Sequence, residues 1–135
     1  MPDAKTPTMA DTGMPFANLM GVEIIERDKT RVVGRLLVRD DLCTAGSILH
    51  GGAYMAFADA LGAVGGALNL KPGTWTTTLE SKTNFLGSAK AGETVTGEAT
   101  PLHIGRRSSV WQTRVTNADG KLLALVLQTQ MTIER

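Results

Sequence analysis

One segment combines residue types and a spacing that can support a reaction: His50-Gly51-Gly52-Ala53-Tyr54-Met55-Ala56-Phe57-Ala58-Asp59. If a helix starts at Gly51, its first backbone N–H groups have no intrahelical acceptor and carry partial positive charge. Glycines there let a substrate oxygen come close to the backbone, so Gly51 and Gly52 could polarise a carbonyl and hold an oxyanion. Asp59 is the only formal charge between Gly51 and Leu70. An ionised carboxylate on an Ala/Gly surface is costly unless it has partners or a task. Asp59 lies eight positions after Gly51, which is roughly 12 Å of helix at ~1.5 Å per residue. One carbonyl cannot touch both groups of a single chain. If both act on it, they come from two subunits and the site lies at a dimer interface.

The elements that must position these residues follow from the pattern around them. Pro15 to Met20 reads as a short helical turn. Val22 to Arg27 and Arg31 to Arg39 read as two strands joined at Asp28-Lys29-Thr30, with a loop from Asp40 to Leu49. The helix should begin at His50-Gly51-Gly52 and end near Asn69, before the Pro72-Gly73 turn. Ala53, Ala56, Ala58, Ala60 and Ala63 favour it, whereas Gly62, Gly65 and Gly66 do not. Close packing against a sheet would compensate. Strands are expected over Thr74 to Phe85, Glu93 to Thr100, Arg107 to Thr116 and Lys121 to Ile133. In the last of these, Leu123, Leu125, Leu127, Met131 and Ile133 share one face and Gln128, Gln130 and Thr132 the other. Two strands, one helix and four strands make an α+β fold, an antiparallel sheet wrapped around one long central helix. Its open edges and uncovered helix face call for a dimer at least.

Composition bounds the rest. A chain of 135 residues fits one domain. With 14 Lys+Arg against 13 Asp+Glu, a global basic surface for nucleic acid is not indicated. The single Cys43 rules out an intramolecular disulfide and Cys-based zinc clusters, and His50 and His103 alone do not make a His-rich metal site. Cys43 reads as an inert small hydrophobe. Residues 1–14 read as a mobile arm without a secretory signal, which points to the cytoplasm. Gly51 to Leu70 is long enough to cross a bilayer, but its small residues and central Asp59 fit a helix buried in protein.

The motif His50-Gly51-Gly52 with Asp59, followed by the turn Gly87-Ser88-Ala89-Lys90-Ala91-Gly92-Glu93, resembles that of the hotdog-fold acyl-CoA thioesterases. The branch it looks like is the phenylacetate-degradation (PaaI-like), thioesterase superfamily member 2 type, over about residues 15 to 133. The resemblance implies one hotdog domain over 15–135 that hydrolyses a thioester to free acid and CoA. By this resemblance Asp59 is general base on water or nucleophile on the thioester carbon, and the Gly51 N–H polarises the thioester oxygen. His50 shapes the turn, and Thr77 helps hold the attacking water. Thr44 stands where this branch often has Asn, and a hydroxyl lacks the amide's paired donor and acceptor. Gly52 belongs to the substrate-binding turn. Gly105, Arg106, Arg107 and Ser108 match the segment that runs beside the nucleotide and pantetheine of coenzyme A, with Lys90 contributing from the neighbouring turn. If Arg106 and Arg107 begin a strand, they face opposite sides and only one points at ligand. No metal or redox cofactor is implied, since coenzyme A belongs to the substrate. The assembly implied is a homodimer or a tetramer made as a dimer of dimers, with no nucleic-acid or membrane partner.

Two other functions compete. A non-catalytic acyl-CoA binding or sensing protein on the same fold is supported by Thr44. A dehydratase or hydratase of this fold pairs a catalytic His with a carboxylate differently, and no second His lies near Asp59 in the sequence.

Overall fold

The computed structural model describes residues 12–134. Helix α1 (Pro15–Met20) leads into β1 (Glu23–Asp28) and β2 (Arg31–Leu37). The expected loop contains a 3-10 turn (Asp40–Leu42) and a small hairpin, β3 (Cys43–Thr44) with β4 (Ile48–Leu49). Helix α2 (Gly51–Leu68) follows, then β5 (Thr74–Phe85), β6 (Thr94–Ile104), β7 (Ser108–Thr116) and β8 (Leu122–Glu134). The six long strands form one antiparallel sheet in the order β1-β2-β6-β7-β8-β5. The expected architecture, a sheet against one long helix, is the one that forms. The arm expected over residues 1–14 lies outside the described residues except for Thr12–Met14. There Thr12 is buried and its hydroxyl donates to Asn18 Oδ1 at 2.7 Å.

Helix and sheet exchange large and small side chains across their contact. A Cβ on Gly62 would lie 2.2 Å from Gln128 Oε1, one on Gly65 2.5 Å from Trp111 Cη2, and one on Gly66 3.1 Å from Thr76 Oγ1. In return the sheet has glycines under the helix. A Cβ on Gly34 of β2 would lie 2.7 Å from Leu61 Cδ2, and one on Gly97 of β6 would lie 2.6 Å from Leu61 Cδ1 and 3.0 Å from the Phe57 ring. Trp111, Phe57 and Leu61 are fully buried as a result. Each helical glycine costs about 1 kcal/mol relative to alanine. Burying each large apolar side chain contributes about 1.5–3 kcal/mol, so close approach wins.

One strand runs beyond the sequence expectation, and on another the structure decides which face is inward. Strand β6 continues past Thr100 through Pro101 to Ile104. This is tolerated because β2 pairs only with Thr94–Ala99, so Pro101 owes no ladder N–H on that side. On β8 the alternation holds from Leu125 onward, but the polar face is the one turned to the helix. Gln128 and Gln130 are buried, while Leu125 and Leu127 are only partly covered and Met131 is exposed. Leu123 is buried beside Ala124, where the register shifts between the Val115–Ala124 and Thr116–Leu122 pairs.

Gly65→Ala tests the exchange. Alanine is the better helix former, yet its methyl group meets the immobile Trp111 ring, so the unfolding free energy should fall by about 1–3 kcal/mol. Urea denaturation reads it, and an unchanged or raised midpoint would show that the Trp111 contact does not require glycine.

Candidate active site

Helix α2 begins where the hairpin ends. The His50 N–H donates to Leu42 O at 2.9 Å, which ties the helix start to the base of the hairpin. The His50 side chain is the N-cap, its Nδ1 accepting from the Gly52 N–H at 2.8 Å. Its carbonyl accepts from the N–H groups of Ala53 at 2.9 Å and Tyr54 at 3.3 Å. Tyr54 makes the first regular helical bond, and of the four donors before it those of His50, Gly52 and Ala53 are used. The fourth, the Gly51 N–H, has no acceptor among the described residues. The Phe85 ring flanks it, 3.2 Å from where a Gly51 Cβ would stand. Gly52 is exposed, but its N–H is spent on His50. Tyr54 donates to Gly87 O at 3.4 Å, and burial pushes its phenol pKa up.

Two turns along, Asp59 meets the sheet. Its Oδ1 accepts from Thr78 Oγ1 at 2.6 Å and from Gln128 Nε2 at 3.2 Å. Behind Thr78, Gln130 Nε2 donates to Thr78 Oγ1 at 2.7 Å, and Thr76 Oγ1 donates to Gln130 Oε1 at 2.8 Å. Asp59 Oδ2 makes no hydrogen bond among the described residues. Thr77, which the resemblance put beside the attacking water, lies on the exposed face of β5, and Thr78 is the threonine at the carboxylate. The side chains of β5 alternate, so neighbouring threonines cannot share a face. Thr44 is exposed in the last pair of the hairpin, opposite Ile48, just before the turn with Gly46 and Ser47 in left-handed conformation.

The expected coenzyme A residues do not gather in one protomer. Gly105, Arg106 and Arg107 line a cavity of about 660 Å³ at the C-terminal end of α2, with Asn69, Lys71 and Glu134. Both arginines line it because they sit in the β6–β7 turn before the strand begins, where alternation does not apply. Gly105 N–H donates to Ser108 O at 2.8 Å and closes this turn. A Cβ on Gly105 would lie 2.7 Å from His103 Nε2. Lys90 instead bridges to Ile48 beside the helix start, about 25 Å away by the length of α2. A second cavity of about 410 Å³ adjoins the helix start, with Phe16, Leu19, Met20, Leu42 and Cys43 against His50. Sequence reasoning missed Thr78, Gln128, Gln130 and Lys71. The signal for the glutamines was their alternation after the apolar run Leu122–Leu127 of β8. Among the described residues, no group of three or more His, Cys, Asp or Glu is placed to hold a metal ion.

One long helix laid against a six-stranded antiparallel sheet, β1-β2-β6-β7-β8-β5, is the hotdog fold. The comparisons agree. The thioesterase superfamily matches residues 46–124. The 1,4-dihydroxy-2-naphthoyl-CoA hydrolase of Listeria monocytogenes is 31% identical over 112 residues, 83% of this chain and 90% of that protein. A thioesterase from Haemophilus influenzae superposes with a TM-score of 0.85 at 27% identity, over 96% of this chain and 93% of that one. The PaaI protein of the Escherichia coli phenylacetic acid degradation operon shares the fold, with a TM-score of 0.83 at 21% identity over 93% and 96% of the two chains. The chain belongs to the thioesterase superfamily and is a hydrolase of acyl-CoA thioesters.

The cap assigns His50 a structural task that can be separated from proton transfer. His50→Ala should lower stability by about 1 kcal/mol, and His50→Asn, which can still cap, should keep most of it. Thermal melting reads both variants. Thioesterase activity of His50→Asn should stay within a few-fold of the parent, and its complete loss would give the imidazole a chemical role.

Proposed function

We propose that hydrolysis occurs at a centre shared by two protomers, with the Gly51 N–H of one and the Asp59 carboxylate of the other acting on the same thioester. The observation that carries this reading is the pairing of unused groups. Gly51 is left with a donor and Asp59 Oδ2 with acceptor capacity, and their separation along α2 keeps both from one carbonyl in one chain. In this reading the thioester oxygen accepts from the Gly51 N–H, which stabilises the negative charge developing there. Asp59 Oδ2 either takes a proton from the attacking water or adds to the carbonyl carbon and is released by water. The thiolate of coenzyme A leaves. The chemistry calls for no metal or redox cofactor.

A sheet edge with no strand partner among the described residues supports the dimer. Strand β5 is at the edge, twelve residues long, with Trp75, Leu79 and Phe85 each about half exposed. A long edge strand with half-exposed large apolar side chains is a ready template for pairing with another chain. A second copy laid along it would bring the ends of two α2 helices together. Lys71, Arg106 and Arg107 of one chain would then serve the phosphates, with Lys90 of the other nearby. The sheet face carrying Met131 and Ile133, exposed by 37% and 41%, supports further pairing into a dimer of dimers. The apolar cavity beside His50 is of a size for an acyl group. The name of the Listeria relative favours an aryl one. A cytoplasmic location follows from an acyl-CoA substrate. Among the described residues, no helix is long and apolar enough to cross a membrane.

Thiol release from an acyl-CoA panel beginning with aryl-CoA tests this reading. Asp59→Asn should keep the assembly, by light scattering, and lose about 10²- to 10⁴-fold in turnover. Gly51→Pro removes the N–H at a helix position that proline tolerates, and it should also be inactive. Because each site takes one group from each chain, mixing and reassembling the two dead variants should restore about a quarter of parent activity. Half of the dimers are mixed, and each mixed dimer has one intact site. A mixture as inactive as its components would reject the shared centre.

A further inference from the structure

We infer that Gln128 and Gln130 are positioning residues for Asp59, holding one carboxylate oxygen so that the other is presented to the substrate. This inference rests on the reading of Asp59 as the reacting carboxylate.

Both side chains are buried, at 0% and 1% exposure, on the second strand from the sheet edge, where the preceding inward positions of the same strand are Ala124 and Val126. Two buried amides are costly unless hydrogen bonded, and nothing in the packing of β8 requires them. Leucine or methionine would fill the same space. The donors of both amides point toward Asp59. Gln128 Nε2 donates directly to Oδ1 at 3.2 Å and lies 3.5 Å from the Asp59 carbonyl oxygen. Gln130 acts through Thr78. Its Nε2 donates to Thr78 Oγ1 at 2.7 Å, which leaves the Thr78 proton for Asp59 Oδ1 at 2.6 Å. Thr76 fixes the orientation of the Gln130 amide by donating to its Oε1 at 2.8 Å. The chain Thr76, Gln130, Thr78, Asp59 thus runs in one donor direction and ends on the same oxygen that Gln128 holds.

The network also carries a cost that a purely structural arrangement would avoid. Gln128 Oε1 is buried without a hydrogen-bond partner. Gly62 leaves the space this amide occupies, since a Cβ there would lie 2.2 Å from Oε1 and 2.6 Å from Nε2. The helix thus gives up a methyl group to admit a side chain that is itself incompletely satisfied. Orientation of the carboxylate accounts for both features. A carboxylate held at one oxygen cannot rotate about its Cβ–Cγ bond without losing two donors. The free oxygen keeps one direction in every turnover, and orientation of this kind carries a large share of a rate enhancement.

Gln128→Met and Gln130→Leu read this directly. Each should lower kcat by about tenfold to a hundredfold, with KM within twofold of the parent. The melting temperature of Gln128→Met should be equal or higher, because the unpartnered Oε1 is gone. A residue that served only packing would move the melting temperature and leave kcat. Thr78→Val should behave like Gln130→Leu, and Thr78→Ser should recover most of the loss. A kcat within twofold of the parent for both glutamine variants overturns the inference. If either variant melts well below the parent, Thr76→Val decides from the far end of the chain. A loss of kcat that Thr76→Ser restores supports the inference, and parent-like kcat overturns it. Full activity of Asp59→Asn would instead remove the reading of Asp59, a result distinct from failure of the glutamine variants.

Discussion

Gly62, Gly65 and Gly66 bring α2 so close to the sheet that side chains from β7 and β8 reach its backbone, and the rest of the molecule depends on that approach. Trp111 fills the space over Gly65, the Gln128 amide that over Gly62, and the Gln130 methylenes with the Thr76 hydroxyl that over Gly66. Phe57 and Leu61 fill those over Gly34 and Gly97 from the other direction. In close-packed interiors such exchanges allow little sliding, because every side chain is already opposite a missing one. The rotation of α2 about its own axis is fixed in this way. Asp59 is therefore aimed at Thr78 and Gln128, with no freedom to choose other partners.

The same constraint accounts for the placement of polar groups. A carboxylate halfway along an Ala/Gly helix needs donors, and a helix lying flat on a sheet can find them only on the strands beneath. Strands β5 and β8 supply them through residues of one face: Thr76, Thr78, Gln128 and Gln130. Leu125 and Leu127 of β8 are left to the opposite face. The polar groups at the start of the helix are treated the opposite way. Three N–H donors are consumed by His50 and only Gly51 is spared. One donor and one carboxylate oxygen remain, and they lie on different turns of one helix.

Separation is a recurring theme in the site. The amide and the carboxylate are two turns apart, and Lys90 and the Arg106–Arg107 turn sit at opposite ends of α2. Within one protomer these groups do not meet. Strand β5 pairs with β8 on one side and has no strand partner among the described residues on the other, where Leu79 and Phe85 are half exposed.

Much of this was legible in the residues themselves. The alanines and glycines of α2, the turn at Pro72-Gly73 and the threonine-rich run after it define the elements, because propensity and turn chemistry are local properties. The isolated charge of Asp59 and the glycines after His50 marked the site, because an uncompensated carboxylate and unsatisfied N–H groups are costly in any fold. Four outcomes depended on contacts between distant segments. Thr78 faces Asp59 where Thr77 does not, Gln128 and Gln130 lie under the helix where leucines could have lain, β6 runs on through Pro101, and both Arg106 and Arg107 line one cavity. In a strand the two faces exchange roles with a single step of register, and sequence alternation shows that there are two faces without showing which one meets the helix. The partner strand and the glycines of α2 make that choice, and they act only once the chain has closed.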